Sequence, residues 1–209
     1  MPGLGTAAFD RFVAIDWSGA RAVRTPGIAV ALLETRRSQQ AFESAETVRL
    51  VRPDDGGHWS RKAVAEWLQR LADRPGRTLV GIDCNLGYAA SVLQVQFPGI
   101  RRADRLWAEV ERCSASAGNF LAEGYWTHPS VAPLFWCRGR RPVDWHGPRR
   151  LTEQACIDAG LGVPESPFKL LGPRQVGKGG LAGMRMLHAL RSVLGERLAV
   201  WPFDSVAWD

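Results

Sequence analysis

Two aspartates close short apolar runs. Arg11-Phe-Val-Ala-Ile-Asp16 runs into Trp17-Ser-Gly-Ala20, and Thr78-Leu-Val-Gly-Ile-Asp83 runs on to Asn85 and Gly87. A run of apolar and β-branched residues that stops at a carboxylate and a turn reads as a strand delivering Asp to its carboxyl end. If the two strands lie side by side and parallel, the aspartates come within about 5 Å of each other. Two anions that close repel unless a proton or cation intervenes, and a divalent metal is the usual solution. Asp16 and Asp83 are therefore the candidate metal ligands and catalytic carboxylates. Asp204, after Leu198-Ala-Val-Trp-Pro-Phe203, is a third strand-end candidate.

The elements that must position these residues follow from periodicity. After the first strand, Gly27 to Leu33 and Glu46 to Val51 read as two more, joined by short connections that favour an antiparallel meander. Trp59 to Asp73 reads as a helix, with Ala63, Val64, Trp67, Leu68 and Leu71 on one face and Glu66 pointing away. Pro75-Gly76 stops it, and the strand carrying Asp83 follows. Helices are expected over Tyr88 to Gln96, Ala103 to Cys113, Thr152 to Ala159 and Leu181 to Leu194, with a short extended piece at Pro167 to Leu171. A last strand is expected over Arg197 to Phe203. The chain stops soon afterwards with no closing helix, which suggests a cut end. Strand, strand, strand, helix, strand, with Asp on the first and fourth strands, is the order of a ribonuclease H-like domain. The expected fold is thus α/β, a mixed five-stranded sheet of order 3-2-1-4-5 flanked by helices. One domain spans 1–209, with a helical and loop insertion at about 88–165.

Composition narrows the partners. The 209 residues carry a formal charge of +6, and of 27 basic residues only Lys62, Lys169 and Lys178 are lysines. Arginine binds phosphate bidentately, so an anionic partner fits. Residues 128–150 hold Arg138, Arg140, Arg141, Arg149 and Arg150 among Phe135, Trp136 and Trp145. Cations with aromatic stacking platforms suit single-stranded nucleic acid; a solvated Pro/Gly-rich loop whose tryptophans plug the core is the other reading. Gly172 to Gly180 matches most of the phosphate-binding G-x-x-x-x-G-K-[ST] pattern, but Gly179 takes the hydroxyl position. A Gly-rich loop feeding a helix start can still bind phosphate through backbone amides, with Lys178 beside it. Ser18 could bond a phosphate oxygen or serve as a turn hydroxyl. The cysteines Cys84, Cys113, Cys137 and Cys156 show no paired spacing, and no signal peptide or membrane span is visible, so reduced thiols in a cytoplasmic protein are expected.

The runs Val13-Ala-Ile-Asp-Trp-Ser-Gly-Ala20, Gly81-Ile-Asp83, Pro133-Leu-Phe-Trp136, Gln175-Val-Gly-Lys-Gly-Gly-Leu-Ala-Gly-Met184 and Val200-Trp-Pro-Phe-Asp204 resemble the bacterial and archaeal family catalogued as domain of unknown function 429. That family is regarded as a predicted nuclease of ribonuclease H-like fold. The resemblance implies Asp16 and Asp83 as ligands of Mg²⁺ or Mn²⁺, Asp204 as a third carboxylate and Glu153 as a supporting carboxylate or a helix-start Glu. Family members usually continue to a further strand carrying a Glu, which this chain does not reach. The function expected is metal-dependent phosphodiester hydrolysis of nucleic acid, with two ions about 4 Å apart. Two other readings stay open. An actin- or sugar-kinase-like phosphotransferase would use the Asp16-Trp-Ser-Gly turn as a phosphate loop, and a catalytically silent module of the same fold would only bind nucleic acid.

Overall fold

The computed structural model describes residues 9–35, 47–139, 149–172 and 175–204. Two compact units divide the chain. Met1–Ser18, Ala22–Asp83 and Leu190–Asp209 make the first, and Gly19–Arg21 with Cys84–Ala189 make the second.

The first unit is built on a mixed sheet of four strands in the order β3-β2-β1-β4. They are β1 (Arg11–Asp16), β2 (Ala29–Glu34), β3 (Arg49–Val51) and β4 (Thr78–Ile82). β1 pairs antiparallel with β2 and parallel with β4, and β2 pairs antiparallel with β3. Helix α1 (Arg61–Ala72) connects β3 to β4. Ser60 caps it, its hydroxyl accepting from Ala63 N at 3.0 Å, which satisfies one of the helix's orphan donors. Alternation along the strands separates two faces. Val13, Ile15, Val30 and Leu32 are buried on one, and α1 buries Val64, Leu68 and Leu71. On the other face Ala14, Asp16, Leu50 and Leu79 are exposed. Arg11, though charged, is buried because its guanidinium donates to the carbonyls of Pro75 (2.8 Å) and Gly76 (3.0 Å), pinning the turn between α1 and β4.

Two expectations need correction here. Of the third strand expected from Glu46, only Arg49–Val51 is paired among the described residues. The fifth strand does not form: Gly195–Arg197 is a short 3₁₀ turn, and 201–203 is a turn. Asp204 explains the curl, since its carboxylate accepts from Val200 N at 2.7 Å and its own amide donates back to Val200 O at 3.0 Å. Pro202 in addition has no N–H to give a sheet ladder.

The second unit holds α2 (Ala90–Gln96), α3 (Ala103–Ser114), α4 (Glu123–Trp126), α5 (Leu151–Asp158) and most of α6 (Gly177–Leu194). α4 lies outside the helices expected from the sequence. Its Gly124 sits so close to α3 that an added Cβ would stand 2.1 Å from the carbonyl of Cys113. Tyr88 stacks on Phe168 with centroids 4.6 Å apart, and Phe168 lies 5.3 Å from Phe135, giving an aromatic cluster; Trp107, Leu106 and Met184 are buried in the same unit. Buried Arg185 clamps Glu111 through two bonds (2.6 and 3.0 Å) and also donates to the carbonyl of Ala117 at 3.0 Å, tying the 115–121 loop to α6.

Candidate active site

The parallel register runs from Arg11↔Thr78 to Ile15↔Ile82, and Asp16 and Asp83 are the next residues on the two chains. The ladder is still intact at that point, because Asp83 N donates to Ile15 O at 3.0 Å. Register partners in adjacent parallel strands share a face, and that register extended by one residue puts the two aspartates about 5 Å apart at backbone level, on the exposed face. Both are exposed, whereas Ile15 before Asp16 and Trp17 after it are buried. The apolar neighbours thus fix the backbone of Asp16 while its carboxylate is left to solvent. Such a pair of oxygen donors fits a hard divalent cation, which takes one or two carboxylates and completes its shell with water or phosphate. Among the described residues no group of three His, Cys, Asp or Glu is placed to hold a metal ion.

The loop after Asp16 is held from behind. Ser18 lies half-buried, and a Cβ at Gly27 would stand 3.3 Å from its hydroxyl, so Ser18 nestles against the hairpin that leads to β2. Its carbonyl accepts a 2.8 Å bond from Nη1 of Arg61. Arg61 is fully buried, and burial pushes its guanidinium pKa down. Sequence reasoning missed this residue. The signal was present: Arg61 heads the stripe Arg61, Val64, Ala65, Leu68, Leu71 that α1 buries, and an arginine in an apolar stripe needs a polar destination inside.

Asp204 is placed differently from Asp16 and Asp83. It lies after no strand, and its two carboxylate oxygens meet the two terminal nitrogens of Arg191, Oδ1 at 3.1 Å from Nη1. With Val200 N also bound, its oxygens are committed to closing the 200–204 turn. Glu153 is buried and caps α5, accepting from Arg150 N at 2.8 Å and from the Arg150 guanidinium at 2.8 and 2.6 Å. That is the helix-start role.

In the second unit the glycine run of Gly177-Lys-Gly-Gly180 lies within α6 instead of preceding it. Glycine's poor helix propensity argues for a loop, but packing decides otherwise. A Cβ on Gly19 would stand 2.4 Å from Gly179 N, one on Gly180 2.6 Å from Asn85 O, and one on Gly177 2.3 Å from Pro167 O. Three backbone segments therefore crowd the first turn of α6, which accounts for its glycines without phosphate. Lys178 is half-buried, with its ammonium 5.9 Å from the Trp126 ring centre.

The arginine and tryptophan region is only partly described: Arg140 and Arg141 lie outside the described residues. Arg138 is exposed. Trp136 is half-buried, bridges to Lys169 by backbone pairing and has the Lys169 ammonium 5.8 Å from its ring centre. Arg149 and Arg150, by contrast, are taken up by the carbonyl of Pro164 and by Glu153. No helix among the described residues is long and apolar enough to cross a membrane. Comparisons with family models, with curated proteins and with solved structures returned no match.

Proposed function

We propose that the chain is a Mg²⁺- or Mn²⁺-dependent nuclease of ribonuclease H-like fold, hydrolysing phosphodiester bonds at Asp16 and Asp83. One observation carries this reading: the register that sets two exposed aspartates at the same level of neighbouring parallel strands. Ligands of open α/β sheets gather at the carboxyl ends of strands, where both aspartates stand. A divalent ion held there supplies charge neutralisation for the phosphate and a more acidic water. Asp16 and Asp83 hold and orient it, while their half-fixed backbones keep the two carboxylates from collapsing away from each other. The excess of arginine, with Arg138 exposed near Trp136, supports a nucleic acid as the phosphodiester.

The test is cleavage of labelled single-stranded, duplex, hybrid and branched DNA and RNA in Mn²⁺ or EDTA. The parent chain cuts in Mn²⁺ and stops in EDTA. Asp16→Asn and Asp83→Asn each lose about 100-fold or more, the scale of removing one centre of transition-state charge stabilisation. Cutting that survives EDTA, or that either variant keeps within about 10-fold of the parent, overturns the proposal.

A further inference from the structure

We propose that Arg61 is the positioning residue of this site: its buried guanidinium clamps the carbonyl of Ser18 and so sets the direction in which the Asp16 carboxylate leaves β1. The kinetic part of this inference rests on the nuclease reading; the structural part does not.

The geometry supplies an anchor, a lever and a load. The anchor is the start of α1, which is fixed three ways. Ser60 caps the helix, Trp59 Nε1 donates to Val51 O at 3.0 Å, and Thr25 N donates to Trp59 O at 3.1 Å. The Cα of Arg61 is therefore tied to β3 and to the segment leading into β2. The lever is the Arg61 side chain, with no exposed surface, whose Nη1 lies 2.8 Å from Ser18 O. A buried cation is costly, so its retention in an otherwise apolar stripe calls for a task that a Leu there could not perform. The load is the segment Asp16-Trp-Ser18. β4 pairs with the chain as far as Ile15 and β2 as far as Asp16, opposite Ala29, and Trp17 is buried between. Strand pairing ends at Asp16, so the bond from Arg61 to Ser18 O is a further restraint, two residues on, on how the chain turns out of the sheet and on the side chain that Asp16 projects there.

Two measurements on Arg61→Met, which keeps the bulk of the stem and removes the donor, test this. Hydrogen exchange needs no catalysis. Amides of residues 16–19 exchange roughly 2–10-fold faster in the variant, the range for losing one net hydrogen bond, while amides within α1 keep the parent's rates. In cleavage, kcat falls about 10–100-fold with KM for the nucleic acid within about 2-fold, since misplacing a reacting group costs turnover and leaves remote binding intact. Arg61→Lys retains a donor and recovers part of both effects. If Arg61→Met does not fold, Ser60→Ala frays the same helix start and gives a smaller change of the same sign in both readouts.

Unchanged exchange at 16–19 in a folded variant overturns the clamp. Faster exchange with unchanged kcat overturns the positioning role alone. A parent chain that never cuts defeats the nuclease reading and the kinetic part, and the exchange result still decides the clamp.

Discussion

Asp83 donates its backbone N–H to the carbonyl of Ile15 at 3.0 Å, the last rung of the parallel ladder before Asp16. Two like charges at one level of a sheet destabilise it, by up to about 1 kcal/mol when solvent screens them. In EDTA, Asp16→Asn is therefore as stable as the parent or slightly more so. Manganese reverses the order. A ligand at 100 times its dissociation constant adds about 2.7 kcal/mol to the parent and little to either Asn variant. Thermal melts with and without Mn²⁺ check this, and equal shifts in parent and variants would place the ion elsewhere.

Arg191 and Asp204 define the second expectation. Their bidentate pair is about three-quarters buried on both sides, and Asp204 also closes the turn on Val200 N. Asp204→Asn keeps an acceptor for that amide but loses the charge, costing about 1–2 kcal/mol of stability. The Mn²⁺ concentration for half-maximal cleavage stays within about 2-fold of the parent's, because the Asp204 oxygens are already engaged by Arg191 and Val200 N. A rise of tenfold or more would restore Asp204 to the site.

What could be read in the sequence divides along a physical line. Local pattern was enough for β1, β2 and β4 and for the face of α1, because apolar alternation and helical spacing are properties of adjacent residues. The parallel pairing of β1 with β4, the strands that lead to Asp16 and Asp83, followed from strand order. Three things depended on distant partners and were not legible. Asp204 reads as a strand-end carboxylate until Arg191, 13 residues earlier in α6, claims it. Gly177 to Gly180 reads as a loop until Gly19, Asn85 and Pro167 are known to press on it. Arg61, at the head of the stripe that α1 buries, calls for a polar destination inside, but which one shows only when Ser18 O appears beside it.

The glycines of α6 give a steric prediction. A methyl on Gly19 would overlap Gly179 N and the Lys178 backbone, and one on Gly180 would overlap Asn85 O at 2.6 Å; both obstacles are main chain and cannot swing aside. Gly19→Ala and Gly180→Ala each cost about 1–3 kcal/mol or more, the range for overpacking. Urea midpoints measure this, and a phosphate-loop role would instead leave stability unchanged while weakening substrate binding.

Tyr88 and Tyr125 give a pH prediction. Both are buried, and neither hydroxyl meets a hydrogen-bond partner of good geometry among the described residues. Burial, with a further contribution from Tyr125, raises the pKa of Tyr88 well above the ordinary phenol value, and burial raises that of Tyr125 as well. The native state therefore keeps both protons where the unfolded chain, with a phenol pKa of about 10, gives them up. The sign follows: stability from these groups is whole below about pH 10 and falls as pH rises beyond it, by up to about 1.4 kcal/mol per pH unit for each tyrosine. Tyr88→Phe removes one of the two protons from this balance. Because the hydroxyl it deletes makes no good hydrogen bond, the variant matches the parent within about 1 kcal/mol at pH 7. Above pH 10 it loses stability more slowly, and Tyr88→Phe with Tyr125→Phe more slowly still. Urea unfolding between pH 7 and 11 decides it: an alkaline slope unchanged in the double variant would mean that other groups set the high-pH limit.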